Sequence, residues 1–162
     1  MMVTRRTLLA SALGGGALAA LRAVPAMAAA MPRPVQTLIL ADPGIDRSFA
    51  RAVAARTAGQ VHVVAGPRTL ADAARWLAAA PDRQVVGLVS AADGVLFQQM
   101  APRGRLSWRA ETHHPVRHAP ARSGWQAALG ESLGRVASGR DPGGRPVAFA
   151  ADRPLMSFVV AG

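Results

Sequence analysis

The chain has 162 residues, 51% of them hydrophobic and only 4% aromatic, and its formal net charge of +10 comes from arginine alone, since lysine is absent. That hydrophobic share excludes a disordered chain and fits one packed domain. The lack of cysteine excludes disulfides, thiolate metal sites, cysteine nucleophiles and lipid attachment to an N-terminal cysteine, and dispersed arginines with few aromatics argue against a nucleic-acid binder.

In chain order, the first segment is MMVTRRTLLASALGGGALAALRAVPAMA. Arg5 and Arg6 stand before an uncharged run from Thr7 to Leu21, followed by Arg22, Pro25 and the small-x-small stretch Ala26-Met27-Ala28. A positive start, a short apolar run and small residues at the end make a cleavable secretory signal. The run is shorter than the roughly 20 apolar residues of a membrane span, and Gly14-Gly15-Gly16 weaken it as a helix. TRRTLL and the modest hydrophobicity behind it resemble twin-arginine export signals. The resemblance implies export of a folded protein through a twin-arginine translocase, cleavage after Ala28 by signal peptidase, and a periplasmic or secreted mature form. Loss of Arg5, Arg6 and Arg22 lowers the formal charge from +10 to +7.

Residues 29–34 read as a stiff linker and 35–162 as a single α/β domain. VQTLILA (35–41) is a buried strand, closed by Asp42-Pro43-Gly44. A helix follows over 47–58, with Phe49, Ala50, Val53 and Ala54 on one face and Gly59 as its left-handed stop. VHVVA (61–65) is a second strand. Thr69-Leu70-Ala71-Asp72 opens a helix to about Ala80, with Leu70, Ala73, Ala74 and Leu77 as its stripe. QVVGLVS (84–90) is apolar throughout, as expected of a strand covered on both faces. A short helix over 92–100 precedes RLSWRAETH (105–113), whose alternation puts Leu106, Trp108 and Ala110 on one face and Ser107, Arg109 and Glu111 on the other. After a loop at 114–123, Ser123-Gly124-Trp125-Gln126 reads as a capping box for a helix ending at Ser138-Gly139. PVAFAA (146–151) and LMSFVVA (155–161) read as a closing antiparallel hairpin.

Alternating strands and helices call for a three-layer sandwich on a mostly parallel sheet, flavodoxin-like or Rossmann-like, with the C-terminal hairpin as antiparallel edge strands. Ligands of such sheets sit beyond the carboxyl ends of the strands. The catalytic candidates there are Asp42, Ser90 and His113; the binding candidates are Arg68, Asp93 and Arg109. Asp42 can act as a base or simply close a turn through its own backbone. Ser90 lies where a hydrolase places its nucleophile, but LVSAA lacks the GxSxG elbow, and Ser90 with Asp93 makes a helix cap. Glu111, His113, His114 and His118 supply imidazole and carboxylate suited to a transition metal, although Pro115 denies them a helical ligand spacing. Neither a GxGxxG set nor a phosphate-binding GxxxxGK[ST] loop is present, so no nucleotide cofactor is implied.

No catalytic constellation emerges from these residues. The sequence therefore points to an exported module that binds a small anionic ligand or a partner protein, with the balance against an enzyme but the question open. The alternative is a small exported hydrolase or metal-binding protein using the same rim residues.

Overall fold

The structure, a computed structural model, describes residues 34–102, 104–116, 123–141 and 148–162. Within them five strands and four helices form an α/β fold: β1 (Gln36–Ala41), α1 (Arg47–Thr57), β2 (Gln60–Val63), α2 (Pro67–Ala78), β3 (Arg83–Ser90), α3 (Ala91–Met100), β4 (Ser107–His114), α4 (Trp125–Ala137) and β5 (Leu155–Ala161). None of the helices among the described residues is long and apolar enough to cross a membrane.

The sheet order is β2-β1-β3-β5-β4. β1 pairs in parallel with β2 and β3, while β5 is antiparallel to both β3 and β4. The sheet is thus mixed, with two parallel and two antiparallel ladders, rather than mostly parallel. Of the expected C-terminal hairpin, residues 146 and 147 lie outside the described residues, and among those described 148–151 do not pair with β5. β5 lies between β3 and β4, and residues 148–150 carry no strand before Ala151, which makes an isolated parallel bridge to Val116. The cause is visible in LMSFVVA: all seven residues are buried, and an unbroken apolar run belongs in the interior of a sheet, not at its edge. Because β5 runs opposite to its neighbours, β4 points the same way as β1, β2 and β3, and all four bring their carboxyl ends to one rim.

Helices cover both faces. Phe49 and Val53 of α1 and Leu129 and Leu133 of α4 close over Ile39, Val86 and Val159; Leu70 and Leu77 of α2 and Phe97 of α3 close over Leu40, Val85, Phe158 and Val160. These apolar side chains recur at helical spacing on each helix and at alternate positions on each strand, and their burial supplies the main favourable term in folding. Phe158 stacks on Phe97 with ring centroids 5.2 Å apart, and its ring occupies the space above Gly87, where any Cβ would collide with it.

Three local expectations change. The left-handed stop of α1 is Ala58 (φ 52°), not Gly59. α2 begins at Pro67, which fits the first helical position, and Thr69 Oγ1 accepts the N–H of Ala65 instead of capping the helix. α4 starts from Gly124 (φ 79°) with no side-chain cap; Gln126 Oε1 instead accepts the N–H of Asp46, the residue whose carboxylate caps α1.

β4 departs from simple alternation. Trp108 pairs with Val160 and Ala110 with Val159, which leaves Arg109 as an extra residue in a bulge. The bulge sends Trp108 to the face covered by α2 and α3, and Ala110 to the face covered by α1 and α4. The two therefore face opposite ways, not the same way.

Candidate functional site

The rim at the carboxyl ends of β1–β4 is the natural place to look, and the amino termini of the helices that follow point towards it. Asp42 continues β1 there. Its N–H donates to Leu88 O at 3.0 Å, and its carboxylate Oδ1 accepts the N–H of Gly44 at 3.0 Å and the Nη2 of Arg153 at 2.7 Å. Asp42 is nearly buried, whereas the Arg153 side chain is 41% exposed. The guanidinium crosses directly over Gly44, and a Cβ there would strike it. Asp42 is thus both a turn-former, as Asp-Pro-Gly suggests, and one half of an ion pair. The second role has no local signal, because Arg153 stands in an Asp-Arg-Pro turn far along the chain.

Ser90 ends β3. Its hydroxyl donates to Asp93 Oδ2 at 2.7 Å and accepts the N–H of Asp93 at 3.1 Å, a reciprocal cap on α3. Ala91 N–H donates to Pro154 O, tying the same corner to the segment that leads into β5. Ser90 and Asp93 are therefore brought together, but neither contacts a histidine among the described residues. Arg68 is exposed in the first turn of α2, at the rim. Arg109 is not at the rim: it sits in the bulge, in the half of β4 farther from its carboxyl end.

The two-residue period of β4 divides the Glu111-Thr112-His113-His114 segment. Glu111 and His113 lie on the face of α3, where Glu111 Oε2 accepts from Gln98 Nε2 at 2.9 Å and Glu111 Oε1 is 3.5 Å from His113 Nε2. His114 lies on the opposite face. Its Nδ1 accepts the N–H of Phe149 at 3.1 Å, which places the ring proton on Nε2, 2.9 Å from Ser157 Oγ. The ring packs 6.0 Å from Trp125 and 6.5 Å from Phe149. Burial among these groups pushes the His114 pKa below the ordinary histidine value. With both nitrogens engaged, His114 has no lone pair for a metal shared with Glu111 and His113. Among the described residues no three His, Asp or Glu side chains form a metal-sized group. His118 lies outside the described residues.

The rim also holds a cavity of about 420 Å³ between the amino termini of α1 and α4, lined by Ser48, Ser123, Gly124 and Gln126, with the Asp46 carboxylate at its edge. At the opposite end of the sheet a second cavity, of about 410 Å³, lies beneath the carboxyl ends of the same two helices; its floor contains Thr37 and Gln84. Sequence reasoning missed this one. Its only signal was a single glutamine inside the apolar run of β3.

Compared with known protein families, curated proteins and solved structures, the chain matches none.

Proposed function

We propose that this chain is an exported, periplasmic or secreted, non-catalytic α/β module that binds a small ligand or a partner protein. The observation that carries the non-catalytic part is the engagement of the rim. Asp42 is held by Arg153 and Gly44, Ser90 by Asp93, and His114 by Phe149 and Ser157. A nucleophile needs a base that is free to take its proton and pass it on; Ser90 and Asp93 are instead locked in a reciprocal cap, and the Asp42 carboxylate is taken up by Arg153 and the Gly44 N–H. The twin-arginine resemblance of TRRTLL supports export as a folded protein, and a cysteine-free chain needs no oxidising compartment to fold. The parallel order β2-β1-β3 with a helix after each strand supports a doubly wound, flavodoxin-like ancestry for that half of the sheet, with ligand capture at an end of the strands.

The test combines two measurements on protein recovered from the export compartment. Native mass spectrometry reads a retained small molecule or partner. The triple variant Asp42→Asn, Ser90→Ala, His113→Ala, scored for the binding so found, is expected to keep it. Loss of a chemical activity in that variant, with its fold intact, would replace the binding module by a rim-centred enzyme.

A further inference from the structure

The two edges of the sheet differ. β4 closes one of them, with a bulge at Arg109 and with Glu111 and His113 exposed; charge and irregularity of this kind keep an edge from pairing with another chain. β2 closes the other, and Gln60-Val61-His62-Val63 carries no arginine, acid, proline or bulge. The whole strand is exposed, Val61 by 49% and Val63 by 57%. Along a strand, successive residues turn their N–H and C=O to opposite sides. Val64 N–H donates to Ala41 O of β1, so the backbone groups of His62 also face β1, whereas those of Val61 and Val63 face outwards. No strand among the described residues meets them there. The outward groups are thus arranged symmetrically about His62.

We propose that β2 pairs antiparallel with β2 of a second copy of this chain, across a two-fold axis at His62. In this register Val61 exchanges both backbone hydrogen bonds with the partner's Val63, and Val63 does the same with the partner's Val61. His62 stands opposite the partner's His62 as the non-hydrogen-bonded pair. Every outward N–H and C=O of Val61 and Val63 is then satisfied, and the exposed valines cover one another as β-branched cross-strand pairs. Charge favours the same partner. Asp72 and Arg75 form an exposed ion pair on α2, and Asp72 and Trp76 of that helix flank β2 across a cavity of about 580 Å³. The two-fold axis runs the two α2 helices antiparallel along the seam, so acid and base on one helix are complementary to base and acid on the other. A chain of net positive charge repels its own copy, and an uncharged strand beside a balanced ion pair avoids that repulsion. The assembly goes beyond the ligand-binding reading above and does not depend on it.

The experiment uses the chain as recovered from cells. So short a strand makes a small interface, so sedimentation velocity over about 1–500 µM is expected to show a monomer–dimer equilibrium. Val63→Pro removes an outward N–H and leaves the ladder to β1 intact; it is expected to weaken the dimer at least about tenfold with an unchanged circular-dichroism spectrum. Should that variant fail to fold, Val63→Lys keeps the N–H, charges the edge and is expected to weaken the dimer by a similar factor. The chain has no cysteine, so His62→Cys places a lone thiol on the axis, with the two Cα atoms about 4.5 Å apart and within reach of a disulfide. Diamide is expected to link this variant at least about tenfold faster than Val61→Cys, whose thiol faces the partner's Val63. A monomer throughout the concentration range overturns the proposal. So does a dimer that survives the Val63 variants, or equal linking of the two cysteine variants. The ligand-binding reading stands or falls separately, on native mass spectrometry, where a second copy of the chain does not count in its favour.

Discussion

The carboxylate of Asp42 and the guanidinium of Arg153, far apart in sequence, meet at 2.7 Å where β1 ends and β5 begins. The pair joins the first strand of the domain to the last across the rim. It also explains Gly44, whose missing side chain is the space through which Arg153 reaches its partner.

Removing Arg153 leaves a nearly buried carboxylate with only the Gly44 N–H. Arg153→Met is expected to cost about 1–2 kcal/mol, the lower part of the range for unpairing a buried charge because the arginine itself is partly exposed. Gly44→Ala displaces the same guanidinium, so its cost and that of Arg153→Met should be less than additive. Chemical denaturation of the two single variants and the double variant measures this. Full additivity would show that Gly44 and Arg153 act independently.

His114 predicts a pH dependence with a definite sign. Its folded pKa is depressed by burial, so the unfolded chain binds the proton more readily than the folded one. The stabilisation is fully present above the ordinary histidine pKa of about 6.5 and is lost as the pH falls below it towards the folded value. Melting temperatures from pH 7.5 to 5 should decline through this window. In His114→Gln that histidine step should disappear, leaving a less stable but flatter profile. A profile equally steep in the variant would assign the titration to another group.

Ser90 is expected to behave as a helix cap. Ser90→Ala should lower stability by about 1 kcal/mol, and Ser90→Asn by less, because asparagine also accepts the N–H of Asp93. A fluorophosphonate probe should leave the folded protein unlabelled. Labelling at Ser90, abolished in Ser90→Ala, would make it a nucleophile instead.

Ala58 ends α1 at φ 52°, a left-handed conformation that costs an alanine about 1 kcal/mol relative to glycine. Ala58→Gly should therefore stabilise the protein by up to about 1 kcal/mol, although the more flexible unfolded chain offsets part of the gain. A loss in midpoint denaturant concentration would show that the Ala58 methyl contributes more by packing than it costs by strain.

Much of the fold was legible because its signals are local. The apolar stripes of α1 and α2, the continuous run of β3 and the Ser90 cap all depend on residues close in sequence. What escaped depends on partners far along the chain. The place of β5 between β3 and β4 is a choice of neighbours, although its seven buried residues already argued against an edge. The bulge at Arg109 reversed a facing pattern that alternation alone assigned, because one inserted residue flips every side chain beyond it. At the candidate site the same distance effect holds. Asp42 and Ser90 were found as rim residues, but Arg153, and the Phe149 and Ser157 that hold His114, were invisible until the chain was folded. The grouping of Glu111, His113 and His114 in sequence was misleading, since neighbours on a strand point to opposite faces.

The most direct test of an exported, folded binding module is the intact mass of the protein recovered from cell fractions, beside an Arg5→Lys, Arg6→Lys variant. The expected result is a chain beginning at Ala29, found outside the cytoplasm in the parent and retained within it in the variant. A chain of 16.8 kDa still starting at Met1, or a variant reaching the same destination as the parent, would contradict the proposal at its root.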